Sequence, residues 1–169
     1  MNWEAVAAIG QIVGTVLVGV TLIYLALQLR QNTSSLKSST FLAISTLMGS
    51  TMEVLATNPD LAPLVIKSQA GLDELSAAER ARFGFMMMMA FRRVETVVVQ
   101  RHLGFIDAHL TEGFERSALS VLASRGARQW WDGSKGAFSN LFSAWVDGKL
   151  ASNPPRPIHA GLGLGVPSE

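Results

Sequence analysis

Between Glu4 and Arg30 lie 25 consecutive residues without a formal charge, AVAAIGQIVGTVLVGVTLIYLALQL. No other stretch constrains the chain so strongly. As a helix rising about 1.5 Å per residue, the run reaches past the roughly 30 Å hydrocarbon core of a bilayer. Its polar members are Gln11, Thr15, Thr21, Tyr24 and Gln28. A threonine hydroxyl can bond its own helix backbone, and Gln28 sits next to the end. Trp3 and Tyr24 stand near the two boundaries, where amphipathic rings settle, and with Arg30 they form the expected membrane-interface anchors. A cleaved signal peptide wants a basic leader and a shorter apolar core, whereas Met1–Glu4 holds no Lys or Arg. Residues 1–30 are therefore read as a transmembrane anchor.

All 14 Lys and Arg residues follow this run, beginning with Arg30 and Lys37. The positive-inside rule then expects the N-terminus outside and the remainder in the cytoplasm. Gly10 and Gly14 make a GxxxG pair, with Thr15 and Gly19 further along. Small residues one turn apart let helix backbones approach in lipid, so this face is the expected helix–helix interface.

The wider composition agrees. Charged residues make up 16% and hydrophobic ones 49%, with a mean hydropathy of +0.28 and a net charge of +1. Soluble domains carry about 25% charge. A disordered or nucleic-acid-coating chain is excluded, and no basic footprint for nucleic acid stands out. The cysteine count is zero, which removes disulfides, thiolate metal sites and cysteine nucleophiles.

The rest reads as helices. Phe41, Ile44, Met48, Met52 and Leu55 share one face, so the first helix is expected to continue past the span, bending near Asn32–Ser35. Asn58-Pro59 restarts a short helix over about Pro59–Ala70, with Asn58 as cap and Gly71 as stop. Ser76-Ala77-Ala78-Glu79 is a capping box. It opens a long helix that ends at Gly104, with Phe83, Met87, Phe91, Val94 and Val98 as its apolar stripe. A further helix spans about Asp107–Ser124, with Leu110, Phe114, Ala118 and Val121 inward and Arg125-Gly126 as its end. Trp130 and Trp131 fall in one or two turns over Ala127–Asp132, and Gly133 and Gly136 mark a loop. Ser139 caps a last helix that buries Leu141, Phe142, Trp145 and Val146. The fold class is all-α: an N-terminal transmembrane helix, a small bundle over 31–152, and an extended Pro/Gly-rich tail over 153–169.

No constellation carries chemistry. There is no HExxH, ExxH or GxSxG. Glu112 and Glu115 share a helix face and are read as solvated. The GLGLG run at Gly161–Gly165 lies in the tail and follows no strand. Arg92, Arg93 and Glu95 interrupt an apolar helix and are read as a structural ion pair. Met86, Met87, Met88 and Met89, with Trp130, Trp131 and Trp145, form either an adaptable interaction surface or a core. No catalytic residue, metal or cofactor is assigned.

The opening through Thr33 resembles an uncharacterised bacterial family of single-span membrane proteins whose anchor ends in a "YLA-Q-RQNT" motif, here Tyr24–Thr33. Further matching pieces are Asn58–Ala62, Arg82-Phe83, Arg93-Val-Glu95, Gly126–Trp131, Phe138-Ser139 and Trp145-Val-Asp147. The likeness covers about Met1–Leu150. It implies a single-span protein of the bacterial inner membrane and brings no activity with it. The expected function is an accessory subunit of a membrane protein complex, bound to lipid and to other membrane subunits. The alternatives are a homo-oligomeric scaffold, and an anchored enzyme or ligand binder with a site near the Trp pair and Arg93.

Overall fold

The structure, a computed structural model, describes residues 2–152 and Pro155. The tail expected over 153–169 otherwise lies outside the described residues. Among these the fold is all-α, with no strand: α1 (Trp3–Thr57), α2 (Leu61–Ser68), α3 (Ala77–His102), α4 (Ala108–Val121), α5 (Arg125–Ser134) and α6 (Asn140–Ser152). The chain divides into two compact units, the first ending at Thr40 and the second starting at Phe41.

The first unit is helical from Trp3 onward, and the helix runs on through Asn32–Ser35. It is long and apolar enough to cross a membrane, and none of its most apolar eighteen-residue window is buried. Thr15 and Thr21 donate to the carbonyls of Gln11 and Leu17, each at 2.8 Å. Their hydroxyls are thus satisfied inside the helix and ask nothing of the surroundings.

In the second unit α3 is the centre. Ser76 accepts from the Glu79 amide and the Glu79 carboxylate accepts from the Ser76 amide, which is the expected capping box. At the other end, Gly104 (φ 77°) closes a Schellman turn. The Gly104 amide donates to the Arg101 carbonyl and the Phe105 amide to that of Gln100, both at 3.0 Å. The left-handed backbone there suits glycine and lets the chain turn back into α4. Phe83, Met87, Phe91, Val94 and Val98 are all buried on one side of α3. They meet Trp130 and Trp131 from α5, Phe138 from the link between the two helices, and Phe142 and Val146 from α6. Val97 faces a second, smaller cluster with Ile44 and Ile106, on which Phe41, Met48 and Phe114 also pack.

Three boundaries differ from expectation. Asn58 does not cap α2 directly. Its carbonyl and side chain accept from the Leu61 and Asp60 amides, so Asn58-Pro59-Asp60 is a turn and α2 begins at Leu61. Arg125-Gly126 opens α5 rather than closing α4, because Ser124 caps the new helix by accepting from the Ala127 amide at 3.4 Å. Gly133 is correspondingly helical, and Gly136 lies in a short 3-10 turn. The position of Gly126 also explains its identity. A Cβ there would lie 2.0 Å from the Ser68 carbonyl oxygen, so α2 and α5 meet backbone to backbone.

Of the expected α4 stripe, Phe114, Ala118 and Val121 pack against the core, while Leu110 is exposed. The most deeply buried positions on α4 are the polar Thr111, Glu115 and Ser120, which a count of apolar residues alone does not show.

Candidate functional site

Three groups of residues bear on function. The first is the apolar surface of the N-terminal helix. Val6, Ile9, Ile12, Val13, Val16, Leu17, Val20, Leu22, Ile23 and Leu25 each keep more than half their surface exposed. Trp3 and Tyr24 are exposed as well. A Cβ placed on Gly10, Gly14 or Gly19 would meet nothing within 4 Å, so this small-residue face is unfilled by the chain itself.

The second group is the aromatic centre. Phe91 packs within 5.3 Å of Trp130 and 5.6 Å of Trp131, centroid to centroid, and Trp131 lies 5.5 Å from Phe138 and 5.9 Å from Phe142. Trp131 has no exposed surface and Trp130 retains 6%. The Trp pair and Met87 are therefore core, and the interaction-surface reading does not hold for them. Met86 and Met88 pack partly against this core, while Met89 remains 44% exposed. Trp145 stacks on Phe142 with planes 18° apart.

Polar groups ring that centre and fix α6. Arg92 Nη1 lies 2.7 Å from Glu95 Oε2, as the spacing predicts. Glu95 also accepts from the Ser139 amide at 2.7 Å, so α3 supplies an acceptor at the start of α6. Ser139 in turn caps α6 by accepting from the Phe142 amide at 3.3 Å. Burial raises the Glu95 pKa, but the Ser139 amide and hydroxyl and the Arg92 guanidinium outweigh it and hold the carboxyl below its ordinary value. Arg92 also lies over the Phe138 ring at 4.7 Å and donates to the Ala137 carbonyl. Arg93 donates to the Leu47 carbonyl at 3.0 Å, tying α3 to the last third of α1. The Trp131 indole donates to Asp147 at 2.9 Å, and Lys135 reaches the other carboxylate oxygen at 2.9 Å. The indole bond, followed by Lys135, lowers the Asp147 pKa against the opposing effect of burial, and Asp147 in turn raises that of Lys135.

The third group was missed in the sequence. Glu115, expected on a solvated face, is 4% exposed and paired with Arg101 at 2.6 Å. The same guanidinium nitrogen lies 2.8 Å from the second carboxylate oxygen. Thr111 Oγ1, fully buried, lies 2.9 Å from Glu115 and 3.0 Å from the Ala108 carbonyl, so its single proton serves one acceptor at a time. Arg101 also sits over the Trp145 ring at 5.8 Å. Beside the pair opens a cleft of about 310 Å³, walled by Arg101, Arg116 and Lys149 against Glu112 and Glu115. The alternating charges there are largely paired among themselves. A signal for Glu115 existed in Thr111, Glu115 and Leu122, which fall on one helical face.

Among the described residues no three His, Asp or Glu side chains converge as a metal-binding group. No family model matches the chain, and no curated protein or solved structure matches it.

Proposed function

We propose that the chain is a single-span membrane protein, anchored by Ala5–Leu29, whose helical bundle serves as an accessory module to other membrane subunits. One observation carries this reading. Among the described residues, the one helix long and apolar enough to span a bilayer buries none of its most apolar window, although the second unit has a well-packed core of its own. A core helix of a soluble fold of this hydropathy would be covered by its neighbours. Here the uncovered side chains need lipid or a partner helix. Thr15 and Thr21 fit that setting, because their hydroxyls are already bonded within the helix. Arg30 and Lys37 follow the run and no Lys or Arg precedes it, which favours an external N-terminus and a cytoplasmic bundle. The resemblance through Tyr24–Thr33 suggests the inner membrane of a bacterium.

The accessory role rests on the open face at Gly10, Gly14 and Gly19, where a second helix can approach closely. Alkaline carbonate extraction and in-membrane crosslinking from that face test the two parts separately. Retention in the pellet and a crosslink to a different protein are expected. Release by carbonate overturns the anchor. A ladder of self-crosslinks overturns the accessory role in favour of a homo-oligomeric scaffold.

A further inference from the structure

The second unit carries an apolar feature that its own core does not use. Leu103 and Phe105 flank the Schellman turn at Gly104, and Leu110 follows one turn into α4; they are 59%, 41% and 37% exposed. The turn is pinned by two backbone hydrogen bonds, so the side chains stand on a fixed corner rather than a loose loop. Ile106, next to Phe105, and Phe114, one turn beyond Leu110, belong to the cluster that Phe41 and Ile44 also join. The corner thus lies at the end of the second unit where the chain arrives from the anchor.

We infer that this α3–α4 corner is a lipid-contacting surface, with Leu103, Phe105 and Leu110 seated in the headgroup region of the bilayer that holds Ala5–Leu29. The inference rests on the anchor reading. Its occupant follows from tether length. Phe41 lies eleven residues beyond Arg30, which is about 16 Å of helix and no more than about 40 Å of extended chain. Lipid is therefore present at high local concentration around this end of the unit, whatever the path between. The second exposed apolar pair, Phe85 (77%) and Met89 (44%), lies further back along α3 from the Val97 and Ile106 cluster on which Phe41 packs. Phe85 lies about 30 Å back along α3 from the corner. The polar residues flanking the corner along the chain are mixed, with His102, Asp107 and His109, and Lys149 and Glu112 line the neighbouring cleft. Apolar seating rather than attraction to anionic lipid drives the contact, so neutral phosphatidylcholine suffices and salt leaves it unchanged.

The chain has no cysteine, so single sites can be spin-labelled in the full-length protein. Phe105→Cys, Phe85→Cys and Leu17→Cys are reconstituted in phosphatidylcholine vesicles, and collisions with oxygen and with a water-soluble nickel chelate are compared by power saturation. At Phe105 the oxygen-to-nickel ratio is expected to rise several-fold above that at Phe85, towards the value at Leu17. Equal ratios at Phe105 and Phe85, with Leu17 shielded from nickel, overturn the corner and leave the anchor standing. A label at Phe105 shielded from both reagents overturns it too, since protein rather than lipid then covers the corner. Nickel access at Leu17 overturns both readings together.

Discussion

Arg101 and Glu115 meet with 2.6 Å between Nη1 and Oε1, one from the last turn of α3 and the other from the middle of α4. The pair sits in the angle that the Gly104 turn creates, and the Glu115 carboxylate also faces the Thr111 hydroxyl. The contact replaces the apolar residue that a helix stripe would normally place there. Breaking one partner of such a pair leaves the other desolvated without compensation.

Glu115→Gln is therefore expected to destabilise the second unit by about 1.5–3 kcal/mol, the usual range for a hydrogen bond to a charged group. Glu112→Gln, on an exposed pair with Arg116 at 3.9 Å, is expected to stay within about 0.5 kcal/mol. Chemical denaturation followed by circular dichroism distinguishes them. Equal effects would show that the buried pair has no special weight.

Gly126→Ala tests the backbone contact of α2 with α5. The added methyl would collide with the Ser68 carbonyl, which belongs to a helix and cannot rotate away. A loss of about 1–3 kcal/mol is expected, as for an overpacked core. Gly113→Ala is the control, because nothing lies within 4 Å of its Cβ position. It should be neutral or slightly stabilising through helix propensity.

Acid should loosen the unit from its carboxylates. Glu79 is lowered from 4.5 to about 2 by Lys67 and then by Ser76, and Glu95 and Asp147 are also lowered. A folded pKa below the unfolded value means stability that is present at neutral pH and lost as protons bind. The denaturation midpoint is expected to hold steady at higher pH and to fall from about pH 4.5 downward. Glu79→Gln should remove the portion of that slope that extends towards pH 2. A midpoint that rises on acidification would contradict the assignment.

A charge placed midway along the apolar run should weaken membrane insertion. Leu17→Lys costs about 2.5–3.5 kcal/mol at the centre of a span, and the carbonate-resistant fraction should fall, while Leu17→Ala leaves it near the wild-type level. An unchanged fraction for Leu17→Lys would mean the helix does not cross the bilayer.

Local chemistry made much of the fold readable. The Ser76–Glu79 box, the Gly104 stop, the α3 stripe, the Ser139 cap and the Arg92–Glu95 pair are set by residues a few positions apart, and each stands where its spacing predicts. The Glu115 pair depends on Arg101, which reaches it only after the chain has reversed direction, and a buried carboxylate looks like a surface one when counted along a helix. Gly126 is similar. Its role is fixed by Ser68, far back in the chain, and no local pattern separates a glycine that ends a helix from one that lets two backbones touch. Arg93 bonding to the Leu47 carbonyl is equally silent, since a main-chain acceptor carries no residue signature.

The position of the aromatic centre along the chain sets an order of events. Trp130, Trp131, Phe138, Phe142 and Val146 all follow residue 129, yet they form the surface on which Phe83, Met87 and Phe91 close. At about 5–20 residues per second of synthesis, Ala5–Leu29 emerges seconds before those rings exist. During that interval the apolar helix is complete, while the Phe83, Met87 and Phe91 side of α3 lacks the aromatic rings that will cover it. Capture of the first helix by its surroundings therefore precedes closure of the bundle, and the nascent chain waits on its last two helices with its Met-rich segment uncovered.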